Sequence, residues 1–159
     1  MGKAVIIMGS KSDLEWSKKI AMNLDKLGVE SILRVASAHK VPLTCYELIK
    51  EYEKEAVVFI TVAGMSNALS GFTDAQTWCP VIACPPYSDK FGGSDIYSSL
   101  RMPSAVAPMT VLEPANAALA AAKVFALSDK NIREKISLYQ KDIRDVLKKD
   151  DQDVQRGQG

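Results

Sequence analysis

Seven consecutive residues, Ala56-Val57-Val58-Phe59-Ile60-Thr61-Val62, contain no charged or amide side chain. A surface helix shows polar positions every three or four residues, and a half-exposed strand alternates. A short run with neither pattern fits a strand covered on both faces, as in a parallel sheet flanked by helices. Similar runs recur at Ala4–Met8, Val29–Val35, Pro80–Cys84 and, more weakly, near Val106–Leu112. The run at Val29–Val35 also reads as a buried strand. Helical patterns lie between them. Ser12 and Glu15 match a capping box ahead of apolar Leu14, Ile20, Met22, Leu24 and Leu27, and Gly28 sits where a C-terminal cap belongs. Pro42 suits the first turn of a helix running to about Lys54. Short helices are expected from near Asn67 and over Asp95–Leu100, and longer ones at about 114–127 and 130–149.

Strands alternating with helices predict an α/β fold, a three-layer αβα sandwich built on a flavodoxin-like parallel sheet and closed by C-terminal helices. The 159 residues suit one domain, 1–159, with a frayed tail from Asp150 to Gly159. Twenty basic residues face nineteen acidic ones, a net charge of +1, and no basic tract stands out, so nucleic acid is not an expected partner. No apolar stretch is long enough for a bilayer, and Met1-Gly2-Lys3 leads straight into a strand without a signal peptide. Three cysteines, Cys45, Cys79 and Cys84, are odd in number and lack CxxC spacing, and His39 is the only histidine. These features predict a reduced, cytoplasmic protein with no metal site.

In open α/β sheets ligands bind beyond the carboxyl ends of the strands. Polar clusters follow four strands: Gly9–Asp13, Ser37–Lys40, Ala63–Asn67 and Pro85–Ser88. They are expected to converge on one small-molecule cleft. His39 can give or take a proton near neutrality at little cost. The turn Gly9-Ser10-Lys11-Ser12-Asp13 leads into a helix start, where free N–H groups and hydroxyls suit a phosphate, while Asp13 suits sugar hydroxyls. Asn67 can cap a helix or read a ring edge. The segment Tyr87–Gly93 has the glycines and polarity of a mobile lid.

The motifs Gly9-Ser10-x-Ser12-Asp13, Ser37-Ala38-His39-Lys40 and Ala63-Gly64-x-Ser66-Asn67-Ala68-Leu69 carry a family resemblance, joined by Ala83-Cys84-Pro85-Pro86 and Asp95–Ser104. From about residue 3 to 149 the chain resembles the phosphoribosylaminoimidazole carboxylase family of purine biosynthesis. One branch of that family joins aminoimidazole ribonucleotide to CO2. The other, a mutase, moves a carboxylate from the exocyclic nitrogen to a ring carbon. Lys40 and the Gly64-Met65-Ser66-Asn67 turn look like the direct carboxylase branch, although that branch usually carries arginine where Met65 stands. The resemblance implies His39 as the proton-transfer residue and no cofactor, biotin, ATP or metal. It also implies that Ser10, Ser12, Asp13, Ser37, Ala38 and Lys40 hold the ribose phosphate and carboxylate region, with Asp13 on the ribose. Gly64, Ser66, Asn67 and Leu69 would frame the pocket for base and CO2.

The C-terminal third reads as an assembly element. Ala115–Ala122 is a small-residue helix, and Ile132, Ile136, Tyr139, Ile143 and Val146 form an apolar stripe at helical spacing. On spacing alone that stripe fits packing within its own domain; the resemblance implies a homo-octamer in which the last helix reaches a neighbour. The rival readings are the mutase and, outside enzymes, a flavodoxin-like binding module.

Overall fold

The computed structural model describes residues 2–55 and 57–157. Five parallel strands form one sheet: β1 (Lys3–Met8), β2 (Glu30–Val35), β3 (Val58–Val62), β4 (Val81–Ala83) and β5 (Met109–Thr110). Their order is β2-β1-β3-β4-β5. The helices are α1 (Leu14–Lys26), α2 (Pro42–Tyr52), α3 (Ala68–Asp74), α4 (Tyr97–Leu100), α5 (Pro114–Phe125) and α6 (Lys130–Gln155). Alternating side chains of the central strands divide the core. Ala4, Ile6 and Met8 of β1, with Val58, Ile60 and Val62 of β3, pack against Ile20 and Leu24 of α1, the alanines of α5, and Ile132 and Ile136 of α6. Val5, Ile7 and Phe59 face the other way, onto Cys45, Leu48 and Ile49 of α2 and Leu69 of α3. Fully burying a side chain such as Ile20 or Leu24 contributes about 1.5–3 kcal/mol. The three-layer sandwich expected from the alternation is the fold observed.

Local chemistry explains the element ends. α1 stops in a Schellman motif: the Gly28 N–H reaches Asp25 O at 2.9 Å and the Val29 N–H reaches Leu24 O at 2.9 Å. Gly28 sits at φ +77°, a conformation that glycine adopts without penalty. Pro42 occupies the first turn of α2, as its missing N–H allows. Asn67 caps α3 by accepting the Ser70 N–H at 3.2 Å.

Several expectations are corrected. The capping box is Ser10 with Asp13, not Ser12 with Glu15, because a 3-10 turn at Lys11–Asp13 precedes α1. Glu15 instead pairs with Lys18 at 2.8 Å. The strand expected at Val29–Val35 is only partly buried: Val29 is buried just before β2, but β2 pairs only with β1, its middle is half-buried, and Glu30 and Val35 at its ends are exposed. The fifth strand shrinks to two residues because Pro108 has no N–H to donate and Ala105 turns the chain at φ +63°. The lid-like segment is folded into a run of turns at Lys90–Ile96, with Phe91, Gly92 and Gly93 all left-handed. The helix does not stop at about 149: α6 continues to Gln155, where the Arg156 N–H still donates to Gln152 O at 3.1 Å, and the left-handed residue beyond its end is Gly157 at φ +71°. Ala56, and Gln158 and Gly159 of the expected tail, lie outside the described residues. No helix among the described residues is long and apolar enough to cross a membrane.

Candidate active site

The strand order reverses at β1: the chain leaves β1 for β2 on one side and returns to β3 on the other. Loops leaving the carboxyl ends of such strands diverge and leave a crevice. The ladder holds this edge firmly, since the Gly9 N–H donates to Val62 O at 2.9 Å and the Ala36 N–H to Met8 O at 2.9 Å. Beyond it lies a cleft of about 380 Å³. Its walls bring together Ser10, Ser12 and Asp13 after β1, Ser37, Ala38, His39 and Lys40 after β2, and Gly64, Ser66 and Leu69 after β3.

Each wall has its own support. In the first, Ser10 Oγ accepts the Ser12 N–H at 3.2 Å, and the Ser10 and Ser12 hydroxyls bond each other. Asp13 Oδ2 accepts the Ser10 N–H at 3.1 Å. Burial pushes the Asp13 carboxyl above the usual carboxylate range, although its hydrogen bonds to Ser10 oppose this. In the second wall, Ser37 Oγ accepts the Lys40 N–H at 3.3 Å and Ser37 O accepts the Val41 N–H at 2.9 Å. That tight turn leaves both His39 and Lys40 exposed to solvent. Among the described residues Lys40 forms no ion pair, so its charge is available to an anion. The third wall is the turn at Gly64–Asn67, where Met65 is left-handed at φ +55° and 72% exposed. An unbranched residue held there costs roughly 1–2 kcal/mol.

Ten of the eleven sequence-predicted site residues line this cleft. Asn67 does not: it is buried, its Oδ1 accepts from Ser70, and its Nδ2 donates to Ser99 Oγ at 2.9 Å. Through these two bonds it ties α3 to α4. Of the cluster Pro85–Ser88, the residues Pro86, Tyr87 and Ser88 meet Asp13, Gly64, Met65 and Ser66 around an adjoining cleft of about 830 Å³, as the strand-end rule leads one to expect. The same cluster lines a further cavity of about 230 Å³ with Trp16, Ile96, Leu112 and Glu113, which shares Ala63 and Gly64 with the first cleft. Leu112 and Glu113 follow the fifth strand, so the strand-end rule could have found them. Met65 lines the cleft without a sequence signal beyond its place in the turn. The three cysteines are free and buried, and burial pushes the Cys45 and Cys84 thiols up to about 11. Burial thus disfavours the reactive thiolate form at all three.

The profile of the AIR carboxylase family matches residues 3–146. The chain is similar to the phosphoribosylaminoimidazole carboxylase of Archaeoglobus fulgidus, with 64% identity over 96% of this chain and 84% of that one. Its counterpart in Treponema denticola is 47% identical over 96% of this chain and 97% of that protein. The crystal structure of Treponema denticola PurE superposes with a TM-score of 0.95 at 46% identity, covering 97% of this chain and 99% of that one.

The burial of Asp13 has a measurable consequence. Its carboxyl binds a proton more readily folded than unfolded, so the stability it contributes is present at low pH and lost as pH rises through the carboxylate range. Asp13→Asn keeps an acceptor for the Ser10 N–H but carries no charge. Thermal unfolding of the ligand-free protein is therefore expected to show a higher Tm for Asp13→Asn at pH 7, the gain closing as pH falls below about 4. An unchanged or lower Tm at pH 7 would contradict the desolvated carboxylate.

Proposed function

The chain belongs to the AIR carboxylase family, and from that premise we propose that it joins CO2 directly to aminoimidazole ribonucleotide in purine biosynthesis. The observation that carries this reading is the convergence of three strand-end clusters on one cleft holding the only histidine. The nucleotide's phosphate lies at the Ser10–Asp13 turn, whose hydroxyls and helix start suit an anion, with Lys40 adding positive charge. The Asp13 carboxylate accepts from a ribose hydroxyl. The base lies between His39 and the Gly64–Ser66 turn.

The chemistry follows from the substrate. An aminoimidazole is an enamine, and its ring carbon is nucleophilic beside the amino-bearing carbon. The enamine electron pair forms the new C–C bond to CO2, and one C=O pair moves onto oxygen to give a carboxylate. The attacked carbon still carries its proton. His39 removes it, the C–H pair restores the aromatic ring, and the imidazole later releases the proton to water. Neither activation by ATP nor a carrier of CO2 is required by these steps. The alternative in the same family, the mutase, would take the carboxylate from the exocyclic nitrogen. Lys40 and the Gly64-x-Ser66-Asn67 turn favour the direct reaction, and Met65, where that branch usually carries arginine, is the one contrary sign.

Assembly belongs to the same reading, as a homo-octamer in a cytoplasmic setting. The apolar stripe on α6 is divided: Ile132 and Ile136 are buried in their own chain, whereas Ile143, Val146 and Leu147 are at least half exposed. The small-residue face of α5 is consumed internally, with Ala117, Ala118, Ala121 and Ala122 fully buried. The outer half of α6 is thus the part left to meet a neighbour.

Two measurements test these proposals. With aminoimidazole ribonucleotide supplied and ATP omitted, the rate is expected to rise with CO2 concentration, and the carbamate to be a poor substrate. Efficient turnover of the carbamate with negligible carboxylation at high CO2 would assign the mutase. For assembly, Ile143→Asp is expected to sediment as a smaller species with its circular dichroism intact. An unchanged sedimentation coefficient would remove α6 from the interface.

A further inference from the structure

The stretch Asp95–Ser104 has no part in the chemistry above, yet it is tied to the cleft. Ser98, at the start of α4, touches both ends of the Met65 turn. Its Oγ accepts the Asn67 N–H at 3.0 Å and lies 3.1 Å from Met65 O, to which it donates. The same hydroxyl proton also faces Asp95 O at 2.7 Å, so it is shared between the segment that leads into α4 and the Met65 turn. Next to it Ser99 is buried and accepts from Asn67 Nδ2, while Ser99 O accepts from Thr110 Oγ1 of β5 at 2.9 Å. Further along, Gly71 of α3 leaves room for Met102, whose sulfur would lie 2.9 Å from a methyl group at that glycine. The Ala107 N–H then donates to Asp74 at the end of α3 at 2.7 Å.

This anchoring matters because of what the turn offers. Among the described residues, no protein acceptor meets the N–H groups of Gly64, Met65 or Ser66. Their direction is fixed by the left-handed Met65, a conformation that persists only if its surroundings hold it. We propose that Ser98 is a positioning residue for the cleft: by bridging Met65 O and the Asn67 N–H, it holds the turn in the shape that presents its free amides to the nucleotide. The proposal rests on the reading of the cleft as the nucleotide site.

Thr110→Val supplies the control, since it loosens the same helix from the sheet side without touching the turn. Ser98→Ala is expected to raise the KM for aminoimidazole ribonucleotide roughly fivefold to tenfold, the weight of one or two net hydrogen bonds, with a smaller change in kcat. Ser98→Thr, which keeps the hydroxyl, restores the wild-type value, and Thr110→Val leaves KM in place. Amide hydrogen exchange gives a second readout that needs no variant to fold. In the wild type the Asn67 amide is expected to exchange more slowly than those of Gly64 and Ser66. Equal exchange rates, or the same rise in KM from Thr110→Val, would overturn the proposal. A wild type that does not bind aminoimidazole ribonucleotide would overturn the reading of the cleft, whereas the exchange rates test the clamp by themselves.

Discussion

β1 is hydrogen-bonded along both edges and covered on both faces, and the groups that can do chemistry are arranged around the point where it ends. Its five residues from Ala4 to Met8 are essentially without solvent contact. Pairing with β2 on one side and β3 on the other fixes the register of three strand ends at once. Because the chain reverses direction across the sheet here, the loops after those strands part and leave a crevice. The ladder extends one residue further through Gly9 and Ala36, so the walls begin from fixed backbone. A shift of register in β1 would move all three walls and exchange its two core faces.

Around this frame the cleft carries costs that serve no purpose in packing. Asp13 is desolvated and Met65 is held left-handed. His39 and Lys40 stand exposed on a tight turn held by Ser37. A sequence shaped for stability alone would avoid such features, and their concentration in one place is what makes this cleft the candidate site. The buried cysteines show the opposite pattern: their thiols are suppressed by burial and take part only in the core.

Much of this was legible in the sequence because its signals were local. The run ending at Val62 has no charged or amide side chain to expose, which fits a strand covered on both faces. Gly28 marked the end of α1 because a left-handed residue is needed there. The strand-end rule then placed His39, Asp13 and Ser66 together across more than fifty residues of chain. Other features depend on contacts that the sequence does not state. The true capping box was hidden by two serines two positions apart, either of which fits the pattern. Asn67 could cap or bind, and only its neighbours Ser70 and Ser99 decide for capping. β2 looks apolar through Ile32, Leu33 and Val35, and the local sign that it lies at the sheet edge, Glu30 and Arg34 within the run, is easily passed over. The division of the α6 stripe between core and surface likewise depends on where α5 ends beneath it.

A single substitution tests most directly whether the cleft works as a nucleotide site with one proton-transfer group. His39→Asn retains size and some hydrogen bonding but cannot exchange a proton near neutrality. With nucleotide affinity measured by calorimetry beside steady-state turnover, binding is expected to persist while turnover falls by about 10² or more. Near-normal turnover in this variant, or loss of binding with turnover per bound nucleotide unchanged, would contradict the role of His39.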